Sequence, residues 1–386
     1  MPAPRQAADR DHGEGTNVFD AKTDRASSEM YFKYYGAVQH QQNMLQDYKR
    51  TGIYYAAIVG NRVDFQGMAV MDVGAGSGIL SLFAAQAGAR CVYAVEASDM
   101  AHCAQRLADG NPKLGAVIQV CNCKVEEATL CEKVDVLVSE PMGTLLVNER
   151  MLETFIFARD KFLKPGGKMF PQLGRIHVAA FSDEVLHLEM CSKGHFWCQN
   201  QFFGVDLSPL YSQAVDSYFS QVVVDAFSPQ VLVSTCATKV LDFGTVTETM
   251  LQDILIPLEL QVTCPAPCSV HGVAAWFDVF FNGSEAPLWL STAPGQATTH
   301  WFQLRCVLKS PIHLPAHGGL LTGSMRLVAH RQQSYHVHVE LSGPPLTHGA
   351  GRQVAKGTYD LKEPYYRQLT TGWQQQHAAS ERQQGC

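Results

Sequence analysis

Apolar and polar positions change rhythm twice along the chain. From Met30 to about Lys49 apolar and aromatic residues recur at helical spacing, and Met44, Asp47 and Tyr48 fall on one side of a single predicted helix. Short apolar runs then alternate with helical ones. The pattern predicts a strand at Ala69 to Val73, a helix from about Ser77 to Gly88, a strand at Cys91 to Val95 and a helix capped by Ser98. Strands at Val117 to Val120 and Val134 to Val138 and a helix from Asn148 to Phe162 complete the series. Such alternation is that of a doubly wound parallel sheet. Lys164-Pro165-Gly166-Gly167 is expected to form a turn, and Met169-Phe170-Pro171 leads away from it.

Beyond Pro171 the texture becomes short alternating runs broken by Pro and Gly. They lie at Arg175 to Phe181, Val222 to Phe227, Ile254 to Val262, Gly272 to Phe281, Trp301 to Leu308, Ser324 to His330 and Tyr335 to Leu341, which together predict an all-β domain, a barrel in preference to a sandwich. Within it, His187 to Phe219 is rich in aromatics and does not alternate, so a helical excursion is expected there. Residues 1–29 and 370–386 read as polar tails, 30–170 as the α/β unit, 171–369 as the barrel, and Gly343 to Gly357 as a mobile loop.

At 386 residues with 46% hydrophobic and 17% charged composition, the chain can bury a core across two domains. Its formal charge of −6 argues against general nucleic-acid binding and favours basic peptide substrates through steering. The start, Met1 to Ser28, has no apolar segment and no later run reaches membrane-spanning length, so an intracellular protein is expected. The 12 cysteines lack paired zinc-ligand spacing: Cys121/Cys123 and Cys264/Cys268 stand without a second pair. His336 and His338 would share a strand face, but the sequence sets no carboxylate or third ligand beside them, and no metal is expected.

Val73-Gly74-Ala75-Gly76-Ser77-Gly78 places a glycine-rich turn between the first strand and its helix, where backbone must approach a ligand closely. The glycines form GxGxG; a dinucleotide fingerprint would need glycine or alanine at the position held by Ile79. That disfavours a nicotinamide dehydrogenase. Asp72, at the end of the strand, is usual in S-adenosylmethionine enzymes. Glu96 ends the second strand, where a carboxylate accepts from both ribose hydroxyls of either cofactor. Glu126 either takes an adenine amino group or, with Glu127, forms a solvated face, and Arg50 either pairs with a cofactor carboxylate or is an exposed helix-end cation.

The sharpest chemistry lies in Ser139-Glu140-Pro141-Met142-Gly143-Thr144-Leu145-Leu146-Val147-Asn148-Glu149-Arg150, at the carboxyl end of the Val134 to Val138 strand. Two carboxylates brought together there repel unless a cation lies between them, and a planar guanidinium offers donors on two edges. The expected substrate is therefore arginine. A methyltransferase for small molecules or nucleic acid fits less well, since no basic groove is evident. A scaffold that had lost its chemistry would show a broken clamp or glycine turn, and neither is broken.

With these motifs in order, joined by Tyr31-Phe32-Lys33-Tyr34-Tyr35-Gly36, Ala94-Val95-Glu96-Ala97 and Thr299-His300-Trp301, the stretch from Tyr31 to about Arg367 resembles the type I protein arginine methyltransferases. Asn148-Glu149-Arg150-Met151-Leu152-Glu153 and Trp289-Leu290-Ser291-Thr292-Ala293-Pro294 are most similar to the coactivator-associated (type 4) class and its plant-like branch. The resemblance implies a Rossmann-like methyltransferase domain followed by a β-barrel with a dimerisation arm at about 187–219. It assigns Gln41, Arg50, Asp72, Gly74, Gly76, Gly78, Glu96, Glu126 and Thr154 to S-adenosylmethionine. Glu140 and Glu149 become the catalytic clamp, His300 and Asp47 a pair closing the site, and Tyr35, Met44, Met142, Asn148 and Trp301 the substrate pocket. Either Glu149 or the His300–Asp47 pair would accept the proton. Thr154 stands where the class has serine, and Thr144 where many relatives have tyrosine. The same resemblance implies a homodimer acting on histones and other nuclear or RNA-binding proteins in nucleus and cytoplasm, while the animal members' amino-terminal pleckstrin-like module is not expected within about thirty residues.

Overall fold

Ala69–Val73 (β1) is buried at every position, because helices cover both faces of the sheet whose centre it forms. The computed structural model describes residues 22–346 and 351–367. β1 is flanked by Cys91–Val95 (β2) and Ile118–Cys121 (β3) on one side and by Val134–Ser139 (β4) and Leu163–Phe170 (β5) on the other, all parallel. The order β3-β2-β1-β4-β5 reverses direction beside β1. Ligands of such sheets bind at the carboxyl ends of the strands on either side of that reversal.

The expected turn at Lys164 to Gly167 is instead a bulge within a continuing strand. Val134 pairs with Leu163 and Val136 already with Lys168, so the intervening residues loop out, with Gly166 at φ +77°. The single helix expected from Met30 to Lys49 is also corrected. Three helices occupy this region, Arg25–Tyr35 (α1), Val38–Leu45 (α2) and Tyr48–Val59 (α3). The first break follows Gly36, where Ala37 is extended; the second is at Asp47, whose side chain accepts from the Arg50 N–H and caps α3. Asp47 thus leaves the helical side it was expected to share with Met44. Helix α1 begins inside the stretch assigned to the amino-terminal tail; residues 1–21 and 368–386 lie outside the described residues.

β5 leads directly into the second sheet. Its strands are Leu173–Phe181 (β6), Gln221–Asp225 (β7), Leu232–Asp242 (β8), Asp253–Val262 (β9), Cys268–Phe281 (β10), Leu288–Ser291 (β11), Gln303–Leu314 (β12), Gly319–His330 (β13), Ser334–Gly343 (β14) and Gln353–Tyr366 (β15). The order β10-β12-β7-β15-β14-β13-β9-β8-β6 closes where β6 pairs with β10, giving a barrel of nine strands among the described residues, and β11 attaches to β10. The alternation that predicts a barrel is plain in β9, where Ile254, Ile256, Leu258, Leu260 and Val262 point inward.

Three strands of this second sheet, β8, β11 and β15, went unpredicted. Most of β8 is half-buried or exposed and carries no alternation, and β15 contains Gly357 and Pro364. β15 also corrects the expected loop: Gln353 to Gly357 pair with Gly343 to Val339, and 347–350 lie outside the described residues. The excursion between β6 and β7 is helical, with helices at Glu184–His195 and Tyr211–Tyr218.

Candidate functional site

A cavity opens at the carboxyl ends of β1, β2 and β4, beneath α1 and α2 and beside the β13–β14 turn. Its floor is the glycine turn. Gly74, Gly76 and Gly78 have φ of +71°, +54° and +81°, a region that costs other residues strain. A Cβ on Gly76 would come within 2.8 Å of Gln41 Oε1, so the missing side chain lets α2 close over the turn. Gln41 meets it there: its Oε1 accepts from the Ser77 N–H at 3.3 Å while its Nε2 donates to the Tyr35 carbonyl.

Glu96 is fixed by the backbone. One of its oxygens accepts from Gly76 N–H and the other from Ser98 N–H, both at 2.8 Å, which orients the carboxylate and leaves each oxygen a second lone pair. Glu126 and Thr154 also line the cavity, and burial raises the Glu126 carboxyl above its ordinary range. The hydroxyl of Ser77 is buried there without a hydrogen-bond partner. A carboxylate fixed at the end of β2, a second acidic group and an unsatisfied hydroxyl suit a nucleoside ligand.

At the other end stand the two glutamates. The loop from Glu140 to Glu149 is tightly folded, with Leu145, Leu146, Glu149 and Arg150 all at positive φ between 56° and 72°. Each such residue costs on the order of 1–3 kcal/mol, so the conformation must be held by its surroundings. Leu145 and Leu146 are buried, and a Cβ on Gly143 would lie 2.2 Å from the Asn148 carbonyl oxygen. Arg150 grips Glu153 through Nε and Nη2 at 2.7 and 2.9 Å, and its Nη1 donates to the carbonyls of Lys22 and His330. The left-handed Glu149 also breaks the helix expected from Asn148 into a short 3-10 turn and Met151–Phe162.

Glu149 accepts from the Tyr35 hydroxyl at 2.8 and 3.0 Å. Burial pushes its carboxyl up to about 7; the Tyr35 bond opposes this and the charge of Glu140 adds to it. Glu140 is held differently. Arg50 Nε and Nη2 donate to its Oε2 at 3.1 and 2.7 Å, and the Arg50 Nη1 goes to the Met44 carbonyl. Arg50 therefore lies in the cavity but, rather than being an exposed helix-end cation, binds the clamp carboxylate; two of its five N–H groups have no hydrogen-bond partner among the described residues.

Several residues expected in the site stand behind it. Asp72 is fully buried, accepts from the Ser81 hydroxyl at 2.7 Å, and burial raises it to about 7; it supports the strand end and does not line the cavity. Gly78 is the left-handed residue before the helix Ile79–Gln86. Asn148 accepts from Ser334 Oγ at 2.7 Å and Trp301 Nε1 donates to the Met142 carbonyl at 2.9 Å, so both brace the loop from outside the lining. Tyr35, Met44 and Met142 do line it. His300 donates to Asp47 Oδ2 from its backbone N–H at 2.9 Å, and its Nδ1 lies 2.8 Å from the same oxygen. Burial alone would raise the Asp47 carboxyl, yet the His300 and Arg50 hydrogen bonds hold it below its ordinary range. This pair ties the barrel to the cap of α3 and lies outside the lining.

Sequence reasoning passed over Tyr31, whose ring is 4.7 Å from that of Tyr35, and Gln333 on the β13–β14 turn. The spacing of Tyr31 and Tyr35, four apart in one helix, was a usable signal; Gln333, three hundred residues from α1, had none. Thr144, which stands where many relatives have tyrosine, lies beside the hydroxyl of Tyr366 from β15, so a tyrosine reaches this place from elsewhere in the chain.

Comparison with known proteins gives a consistent picture. A family model described as "Arginine methyltransferase oligomerization subdomain" matches residues 172–342, and one described as "Ribosomal protein L11 methyltransferase" matches 59–170. A rice protein named "Probable histone-arginine methyltransferase CARM1" is 58% identical over 353 residues, covering 90% of this chain and 66% of its own. The Drosophila yakuba "Histone-arginine methyltransferase CARMER" is 48% identical over 357 residues, covering 92% and 65%. The chain thus spans about two thirds of the length of these curated relatives. Among solved structures, Arabidopsis thaliana protein arginine methyltransferase 10 superposes with TM-score 0.76 at 30% identity, over 86% of this chain and 100% of that one. A Trypanosoma brucei enzyme–prozyme heterotetramer with AdoHcy gives TM-score 0.75 at 31% identity, over 85% and 99%.

Proposed function

This chain belongs to the protein arginine methyltransferase family, and from that premise we propose that it methylates arginine guanidino nitrogens of proteins, giving monomethyl- and then asymmetric dimethylarginine. The observation that carries this reading is the clamp: Glu140 and Glu149 face one cavity, each already oriented by a fixed donor, Arg50 and Tyr35.

S-adenosylmethionine is the methyl donor and supplies a methyl group on a positive sulfur. Glu96, Gln41, Ser77, Glu126 and Thr154 would hold it, in keeping with the nucleoside-fitting features of that end of the cavity. Arg50 retains donors for its carboxylate while gripping Glu140.

Guanidinium is a poor nucleophile because its electrons are delocalised and it stays protonated. Glu140 and Glu149 would draw its positive charge toward the bound edges and free lone-pair density on the remaining nitrogen. Their fixed orientation in a buried site makes this electrostatic preorganisation, since no side chain has to reorganise during the reaction. The tetrahedral nitrogen becomes acidic, and Glu149, with a carboxyl near 7 and a place in the cavity, is suited to take the proton. His300 and Asp47, outside the lining, fit a positioning role: they fix the start of the helix that carries Arg50.

The relatives' names support histone tails as substrates and a nuclear place of action; a cytoplasmic share is part of the same reading. The excursion between β6 and β7 leaves Phe196, Phe203, Val205 and Leu210 exposed, Phe203 at 93%, and lies in the region matched to the oligomerization subdomain. We take it as the arm of a homodimer. An arginine-peptide panel incubated with labelled S-adenosylmethionine tests the reading: label on arginine, lost in Glu140→Gln and Glu149→Gln, is expected, and label on another residue type would refute it.

A further inference from the structure

The barrel brings together three residues that the sequence keeps apart. His330 ends β13, His336 lies in β14 and Asp360 in β15, three neighbouring strands in which His336 is directly opposite Asp360. One potential ligand atom from each lies within 4.8 Å of the others. We propose that His330, His336 and Asp360 form a binding site for a divalent cation of the zinc class, outside the methyl-transfer cavity.

Two imidazoles and a carboxylate are the donor set that borderline cations such as Zn²⁺ favour, and three protein ligands leave a position for water. With metal–ligand distances of about 2.0–2.2 Å, tetrahedral ligand atoms stand about 3.4 Å apart. His330 Nε2 and Asp360 Oδ1 are already at 3.3 Å. The His330 and His336 rings lie with centroids 4.6 Å apart, so a small rotation of the exposed His336 completes the set. His336 makes this site possible, and the missing carboxylate that weighed against a metal in the sequence is supplied by strand pairing.

Two contacts change on loading. His330 Nδ1 accepts from the Gln332 N–H at 3.2 Å, so coordination through Nε2 moves the ring proton to Nδ1 and gives up that bond. Asp360 Oδ1 accepts from the Lys362 N–H at 2.8 Å, which leaves Oδ2 and a second lone pair for the ion. Bound there, the cation would staple β13, β14 and β15 at the end beside the Gln333 turn. It would also stiffen the His330 carbonyl that receives Arg150, the residue after Glu149.

The test is titration of the chelator-treated full chain with ZnCl2 by calorimetry, with thermal unfolding recorded in parallel. The competing site is the thiol pair Cys264/Cys268, whose sulfurs are 3.2 Å apart, so the Cys264→Ser/Cys268→Ser double variant is the control. Wild type and the double variant are expected to bind one equivalent at the site and to unfold at higher temperature with Zn²⁺. His336→Ala and Asp360→Asn should bind at least about tenfold more weakly and lose the thermal shift. His336 is exposed, so its replacement leaves the fold intact. The proposal is overturned if wild type binds no Zn²⁺, if His336→Ala binds as wild type does, or if only the cysteine variant loses binding.

Discussion

Tyr35 donates its phenolic hydrogen to Glu149, with its oxygen 2.8 and 3.0 Å from the two carboxylate oxygens. The bond crosses from the first helix to the clamp loop and is one of the influences that keeps the Glu149 carboxyl from rising further than burial takes it. Tyr35→Phe removes it. The acidic limb of the kcat/KM profile should then move to higher pH, because more of Glu149 is protonated at any pH near 7. A profile measured between about pH 6 and 9 whose midpoint does not move would remove Tyr35 from this role.

Glu149→Gln separates function from stability. The carboxyl sits near 7 in the folded protein against an ordinary 4.5, so the folded state holds this proton more tightly than the unfolded chain does. Stability therefore falls as pH rises from about 4.5 to 7, and the full penalty stands above about 7, on the order of 3 kcal/mol at 1.4 kcal/mol per unit. The neutral amide avoids it. Denaturant unfolding should show the variant more stable than wild type at pH 8, by roughly 1–3 kcal/mol, and little different at pH 5. Turnover should fall by the equivalent of roughly 2–4 kcal/mol, with near-normal cofactor binding. Wild-type turnover in this variant would contradict the clamp.

Much of this was legible in the residues. The strand Cys91 to Val95 was readable to the residue because it is an unbroken apolar run between Arg90 and Glu96, and Ala69 to Val73, though it contains Asp72, because it runs into the glycine turn at Gly74. The place of Glu140, Glu96, Gly74 and Gly76 along the cavity was readable because strand ends carry chemistry in such sheets. What was not legible depends on contacts between distant segments. Periodicity could not separate α1, α2 and α3, since Ala37 breaks the run by backbone conformation alone and Asp47 by accepting from Arg50. Nor could it place Arg50 on Glu140, Gln333 in the cavity or Tyr366 against Thr144, each of which the tertiary fold decides.

Glu96→Ala should weaken binding of S-adenosylhomocysteine before it affects anything else. The variant loses the ribose acceptor and the two backbone bonds that tie the Gly76 turn to Ser98, so at least about tenfold lower affinity is expected by calorimetry. Unchanged affinity would remove Glu96 from the ribose position.

Deleting residues 195–215 removes Phe196, Phe203, Val205 and Leu210 from the exposed apolar surface of the excursion. An inactive monomer is the expected product, because the partner's surface would order the helices bearing Met44 and Arg50. Light scattering decides it, and a deletion variant that stays dimeric contradicts the arm.

Fragmentation of an arginine peptide after incubation with the protein and S-adenosylmethionine reads out the reaction itself. Met44 and Met142 line the cavity beside Glu140 and Glu149, and a flexible thioether leaves room for a second methyl on the same nitrogen. Mono- and then dimethylated arginine with neutral loss of dimethylamine is expected, with some symmetric product when Met44→Phe replaces the flexible side chain with a rigid ring. Loss of monomethylamine from the wild-type product would contradict the asymmetric assignment, and a peptide left unmethylated at arginine would contradict the account as a whole.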